Sequence, residues 1–495
     1  MIIAHRLSAL LIWLVCSSQL VHSQGSWALE LPTVGTFSSP RVSDLTGDGV
    51  ADIVLGAGRE EFQSCDSAVV AIDGVSGELL WCVSAKDQIF GSAMFLDITN
   101  DGVQDVFICG RSAELLAING RSGKVLWRFT QVHQLRRPTK SGWFNFYNPQ
   151  FVADQDGDGL HDLLVSNGGD VMAEPYDPNR PPGQLVLISS MTGEIIHQAK
   201  MPDGKEIYMS ITVSPQQDDV PASVIFGTGG ETIGGNLFNI ALHDVFQNDL
   251  SSAVRLDSSE DKGFIGPSIR ADLNKDGISD VVTNSVDGRL LAFDGSTHAK
   301  LWDVTLPMTE SYSSPAVGYF TEDEVPDFFI SYGKGVWPHL GWGIQKLVDG
   351  RTGQVLFTDS LGFYQNTSPL AVDLNQDGRD EAILSVNFQE IDELYRKFFY
   401  TMLVYIDFAT GDIQQISEVF PGNNLSSTPW LGDLDADGML DVIYCHGTNN
   451  RQTYTFDGMK VRRIVTQIPV PRKLSWGAYQ GNDYDGNFKR SRKIP

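Results

Sequence analysis

Six nine-residue stretches hold the residues of this sequence best suited to chemistry. They begin at Asp44, Asp97, Asp154, Asp272, Asp373 and Asp433, with glycine at position 6 and oxygen-bearing side chains at positions 1, 3, 5 and 9. The donors are Asp44, Thr46, Asp48 and Asp52; Asp97, Thr99, Asp101 and Asp105; Asp154, Asp156, Asp158 and Asp162; Asp272, Asn274, Asp276 and Asp280; Asp373, Asn375, Asp377 and Glu381; and Asp433, Asp435, Asp437 and Asp441. Position 7 holds Val50, Val103, Leu160, Ile278, Arg379 and Met439, whose carbonyls can face the same centre. When the glycine takes a positive φ, alternate carboxylates converge and the turn can wrap a hard cation. An all-oxygen donor set favours Ca²⁺ over zinc or copper, so one calcium ion is expected in each of the six turns. One such match would read as a solvated acidic turn, but six at regular spacing point to metal. Two further copies are eroded and are expected to lack it. At 319–327 Tyr319 replaces the first donor and Glu324 the glycine, while at 215–222 only Asp218 and Asp219 remain.

These turns recur inside a larger unit. Each is followed by a short apolar run, as at 53–56, 106–109, 163–166 and 281–284. A second run follows and ends in a tight Asp-Gly or Asn-Gly turn, then a third that often carries tryptophan, as in 71–81, 117–127 and 292–302. Short β runs separated by such turns mark repeated antiparallel sheets. The unit is four strands, A to D, with the acidic turn between A and B. Counting the eroded copies gives eight units, starting near 44, 97, 154, 214, 272, 319, 373 and 433. Arranged radially they form an all-β propeller that protects its strand edges by closing on itself. Eight blades are expected, with seven as the alternative. Closure is open at this point: 26–32 resembles a D strand, and 474–486 resembles an extra A strand with its loop.

The acidic turns, with preceding motifs such as Phe90-Gly-Ser-Ala and Ser313-Ser-Pro-Ala, resemble the FG-GAP repeats of integrin α-subunit propellers. The Ala-x-Asp-Gly-x-Ser-Gly-x-x-x-Trp segment of 71–81 and its relatives resemble the tryptophan-docking motifs of quinoprotein propellers, where the indole packs between neighbouring blades. The first resemblance implies structural cations with ligand recognition elsewhere. The second would imply a pyrroloquinoline quinone (PQQ) in the central channel. No adjacent cysteine pair of the kind that covers such a quinone is present, so PQQ is not expected. Fold resemblance alone does not assign function.

Composition narrows the classes. The 495 residues carry 62 acidic and 36 basic side chains, a formal charge of −26, which argues against nucleic-acid binding. Residues 1–23 read as a secretory signal, with His5 and Arg6 before an apolar stretch too short to span a membrane. Residues 24–486 read as one propeller domain and 487–495 as a basic tail. No later stretch is apolar enough for a transmembrane segment. The expected location is therefore secreted, extracellular or cell-surface, or periplasmic in a bacterium, and the propeller is expected to be monomeric. Cys65, Cys82, Cys109 and Cys445 could pair in three ways in an oxidising compartment. No catalytic constellation stands out: the nine histidines are scattered, and no nucleophile elbow is visible.

Strand parity locates the binding surface. A–B and C–D turns share one face of the disc, while B–C and D–A connections lie on the other. The long insertions around 130–148, 167–184, 227–236, 332–343 and 387–400 all fall on that second face, where recognition is expected. They carry Arg136, Arg137, Trp143, Tyr176, Arg180, Trp337, His339 and Trp342 as candidate ligand-binding residues. Residues 390–400 read as a short amphipathic helix capping the disc. The expected function is a calcium-stabilised binding or adhesion module for an extracellular protein or glycan. An enzyme, either a quinone-dependent oxidoreductase or a carbohydrate-active one, with a site near the central channel, and an envelope-assembly or secretion scaffold are the alternatives.

Overall fold

The computed structural model describes residues 25–129, 142–217, 219–363, 365–452, 454–472 and 474–489. The secretory-signal expectation and Arg136, Arg137 and Asp218 fall outside these residues. The described residues form eight antiparallel sheets, each built on four strands, and in all but the last the strands are sequence neighbours. Blades 1 to 7 occupy 41–85, 94–128, 145–200, 212–259, 269–305, 309–359 and 370–421, and blade 8 occupies 430–469. Each A strand ends just before a predicted unit start, as in Arg41–Ser43, Gln150–Val152 and Trp430–Gly432. The B strands are buried throughout most of their length, because they lie between two strands and between two blades; Asp52–Gly56 and Asp105–Cys109 are buried at every position.

Tryptophan docking joins the blades. The indole N–H of Trp81 donates to Gly120 O of the next blade at 2.7 Å, Trp127 to Ser190 O at 2.8 Å, and Trp302 to Gly350 O at 2.7 Å. Each indole-bearing side chain also lies on the last glycine of that neighbour's C–D turn, Gly123, Gly193 or Gly353. A Cβ added at Gly123 would sit 2.6 Å from the Trp81 ring, and both Gly123 and Gly193 hold a positive φ. Glycine is required there by close approach and by backbone conformation together.

The ring closes through the N-terminal segment. Trp27–Pro32 pairs with the strand Gly458–Pro469 as the D strand of blade 8, and the Trp27 indole donates to Gly74 O of blade 1 at 3.0 Å. The segment 474–489 joins no blade as an additional A strand. It crosses the channel axis and bonds A strands around the ring: Ala371 and Trp476 exchange N–H···O bonds of 3.0 and 2.9 Å, Leu431 N donates to Gly477 O at 2.7 Å, and Arg270 N donates to Gly486 O at 2.9 Å. Its own Trp476 and Phe488 are buried.

Residues 390–400 are not helical. They extend the hairpin of Glu381–Ile391 and Lys397–Asp407, with Phe388 opposite Tyr400 and Ile391 opposite Lys397. Cross-strand stacking of Phe388 on Tyr400, at 5.6 Å, and the Asp392–Arg396 ion pair across the tip favour the hairpin over the local 3.6-residue pattern. Ile391, Leu394 and Tyr395 project from it, exposed. The four described cysteines, Cys65, Cys82, Cys109 and Cys445, are free thiols.

Candidate functional site

The acidic turns are tied into the blade by their own carboxylates. Position 1 accepts backbone N–H groups across the turn: Asp154 Oδ1 from Gly157 at 2.7 Å and Oδ2 from Gly159 at 2.8 Å. Position 5 accepts the N–H of position 7, as Asp48 does from Val50 at 2.9 Å. Position 9 is buried and bonds backward to position 2 and, in several blades, across to the C–D turn. Asp52 accepts from Leu45 N at 2.8 Å and Gly74 N at 3.0 Å, and Asp280 from Leu273 N and Gly295 N at 2.8 Å each. That cross-link puts the acidic and C–D turns on one face.

What else meets the carboxylates differs from turn to turn. In the second, the Asn119 amide reaches Asp105 Oδ1 at 3.0 Å and Asp101 Oδ2 at 3.2 Å. In the fifth, Asn375 donates to Glu381 Oε1 at 2.9 Å. In the sixth, carboxylate oxygens of Asp433, Asp435 and Asp441 gather within 4.8 Å, but Arg463 enters the group. Its Nε donates to Asp441 Oδ1 at 3.0 Å and its Nη2 to Asp435 Oδ2 at 2.5 Å. A guanidinium already stands among these donors. The third turn gathers Asp154, Asp156 and Asp162 within the same 4.8 Å and has no such insertion. Asp162 Oδ1 is buried without a hydrogen-bond partner. Burial pushes the Asp162 carboxyl up to about 6, although Gln155 N–H opposes this, and the neighbouring Asp156, Asp154 and Asp158 push it further. Of the six turns, this one fits a divalent cation best, because a buried oxygen is left for it to satisfy.

The opposite face opens into a cavity of about 610 Å³ at the channel mouth, with Tyr479 of the crossing segment among its lining residues. Connections from around the whole ring line it. Three ion pairs organise the rim: Arg111–Glu61 at 2.9 Å, Arg180–Glu206 at 3.1 Å and Lys262–Glu310 at 2.7 Å. Tyr312 Oη and Trp337 N also donate to Glu310 Oε2, at 2.7 and 3.1 Å. Glu231, at the tip of the glycine-rich turn 227–235, has no hydrogen bond or ion pair to any described residue. Burial raises its carboxyl above the usual range, Glu310 adds to the rise, and Lys262 works against it. The tightness of this turn is set by Gly263, where a Cβ would meet Gly229 C at 2.3 Å.

The predicted ligand-binding residues separate in space. Trp337 lines the cavity. Arg180 lines it too, but its guanidinium is engaged by Glu206, Tyr208 and the carbonyls of Asp177 and Glu174, so it clamps the loop 169–183 onto the disc. Trp143 packs edge-on against Phe129 at 4.9 Å. Trp342 stacks on Phe363 at 4.5 Å and remains exposed, as are Tyr176 and His339. Glu61, Arg111, Glu206, Tyr208, Glu231 and Lys262 were not singled out from the sequence. Only Glu231 carried a local signal, an acid inside a glycine-rich turn. The others lie in short connections of ordinary composition. A second cavity, of about 770 Å³, lies on the acidic-turn face beside Phe488 and Lys489, where the described chain ends.

An eight-bladed propeller with tryptophan-docked blades, one channel end crossed by its own chain and the other open, defines the class of protein. The FAM234A/B β-propeller family model matches residues 56–376, and the chain belongs to that family. It is similar to protein FAM234B of Mus musculus, 24% identical over 403 residues, covering 73% of this chain and 58% of that protein. The Gallus gallus FAM234B is 22% identical over 383 residues, covering 70% and 56%. The chain thus spans a little over half the length of these relatives. Among solved structures, the quinohemoprotein alcohol dehydrogenase of Comamonas testosteroni aligns with TM-score 0.56 at 12% identity, covering 93% of this chain and 80% of that one. A europium-containing methanol dehydrogenase aligns with TM-score 0.55 at 11% identity, covering 88% and 92%. At such identities the likeness is one of fold.

Proposed function

We propose that this chain is a secreted or cell-surface binding propeller, stabilised by calcium in FG-GAP-like turns, that takes a protein or glycan ligand at the channel mouth. The observation that carries the reading is the asymmetry of the channel. One end is crossed by 474–489, and the other opens into a cavity of about 610 Å³ lined by aromatic and charged side chains. A volume in that range suits recognition of a small molecule or an inserted side chain. Glycan and peptide arrays probed with the wild type and with Trp337→Ala test it. Loss of the captured ligand in the variant supports the reading; ligands retained in full reject the mouth as the site.

The calcium reading is supported most strongly at the third turn, where Asp154, Asp156, Asp158 and Asp162 would hold the ion with the carbonyl of Leu160. An extracellular-type site with Kd of about 10⁻⁴ to 10⁻³ M at tenfold saturation contributes roughly 1.4 kcal/mol. Melting in EDTA against millimolar Ca²⁺ should show a shift that Asp156→Ala reduces. An unchanged melt rejects structural calcium.

A further inference from the structure

We propose that Glu231 is the counter-ion for a positively charged group of the ligand, an alkylammonium or guanidinium that enters the channel mouth. This rests on the mouth being the binding site. Both described cations that line the cavity already have partners, Arg111 in Glu61 and Arg180 in Glu206, and Lys262 nearby is held by Glu310. Glu231 alone has none, so the described carboxylates outnumber the cations. Among the described lining residues, an anionic ligand would meet an unpaired carboxylate and no unengaged positive charge. A neutral one would displace water from a half-buried carboxylate and supply no charge in its place, at a cost in desolvation.

The walls suit a cation as well. Phe37, Phe90, Tyr208, Tyr312, Trp337 and Tyr454 line the cavity, and ring faces attract cations through their quadrupole. The cavity already shows such a contact, since the Arg111 guanidinium lies 5.0 Å from the Phe90 ring centroid. Lys262 and Glu310 share the near field of Glu231 with Glu61 and Arg111, and Glu231 also acts on the Tyr454 phenol. The acid excess of the whole chain also draws a cationic partner toward the disc.

The test is calorimetric titration of the full chain with acetyl-arginine amide, acetyl-lysine amide, spermidine and, as the neutral isostere, acetyl-citrulline amide. At least one cation should bind, acetyl-citrulline amide should bind at least about tenfold more weakly than acetyl-arginine amide, and Glu231→Gln should weaken the cation at least about tenfold, as expected for loss of a charge-assisted bond. Preference for the amino-acid amides identifies a polypeptide side chain as the source, and preference for spermidine a free polyamine. Should Glu231→Gln fail to fold, wild-type binding that weakens steeply with added salt gives the same support, and salt-independent binding overturns the proposal. No binding by any cation, or equal affinity in Glu231→Gln, also overturns it. Equal binding of the citrulline and arginine amides overturns the cation assignment while leaving the mouth as a binding site.

Discussion

The His446 imidazole lies buried in blade 8, stacked on Phe420 at 5.1 Å. Arg462 Nε donates to its Nε2 at 3.1 Å and its Nδ1 faces Gly447 O at 3.0 Å, an arrangement that fits the neutral Nδ1–H tautomer. Burial, with Arg462 and Lys460 nearby, pushes its pKa down to about 4, against the pull of the Gly447 bond. The folded value lies below the unfolded one, so the unfolded chain takes the proton first and stability falls as pH drops from about 6.5 to about 4. Relative to His446→Gln, the wild type should lose about 3 kcal/mol over that window. Urea unfolding of both proteins at pH 7 and pH 4 measures it, and parallel losses would refute the assignment. Asp327, the ninth residue of an eroded turn, has the opposite sign. Burial pushes it up to about 7, with Gly350 N–H opposing and Asp349 and Asp323 adding, so its cost builds as pH rises from the ordinary carboxylate range near 4 to about 7 and is complete above that value. Asp327→Asn should therefore stabilise the protein by about 1–3 kcal/mol at pH 8 and give little at pH 3, below the unfolded carboxyl's pKa, as read by urea midpoints. At this scale the sequence revealed the donors of the turns but not what else would stand among them. Asn119 and Arg463 reach those carboxylates from other strands and turns, and no local spacing announces that.

Tryptophan docking makes each blade a support for its neighbour. Gly193→Ala would force a Cβ to within 2.6 Å of the Trp127 ring at a backbone φ of +74°, and should cost about 1–3 kcal/mol in a chemical melt. The same substitution at Gly157, at the tip of an acidic turn where nothing lies within 4 Å of the added Cβ, isolates the backbone part of that cost. Arg463 acts at the seam between the last blade and the first, where its Nη1 and the Trp27 indole both donate to Gly74 O. Removing it leaves Asp435 and Asp441 buried or half-buried without their cation. Arg463→Met should lose about 3–5 kcal/mol in EDTA and regain part of it with millimolar Ca²⁺, as the vacated donors accept the ion. Failure of calcium to rescue would mean that this turn is too collapsed to rearrange. Blades were legible in the sequence because the acidic turn, the apolar runs and the tryptophan recur with one period. The hairpin at 381–407 was not, because its pairing is decided by residues across the strand, and Ile391, Leu394, Tyr395 and Phe398 happen to fall at helical intervals.

Across the whole molecule, the two ends of the described chain do different work. The strand Trp27–Pro32 completes blade 8, and 474–489 ties A strands together across the axis. Repetition announced the blades, but the crossing segment has no repeat to betray it, and its resemblance to an A strand hid its route. Deleting residues 474–495 should cost on the order of 5 kcal/mol, since buried Trp476 and Phe488 go with it, and should admit probes to both ends of the channel. Unfolding midpoints and iodide quenching of intrinsic fluorescence would show it, and an unchanged midpoint would mean that the ring is self-sufficient. The N-terminal strand also imposes a wait. Its partner, Gly458–Pro469, is made more than four hundred residues later, so at about 5–20 residues per second the emerging Leu29 and Leu31 stay without their sheet for roughly 20–90 s. During synthesis this propeller is an open arc with an unsatisfied edge at each end, and its exposure to misassociation is set by the ribosome's pace as much as by the stability of the finished ring.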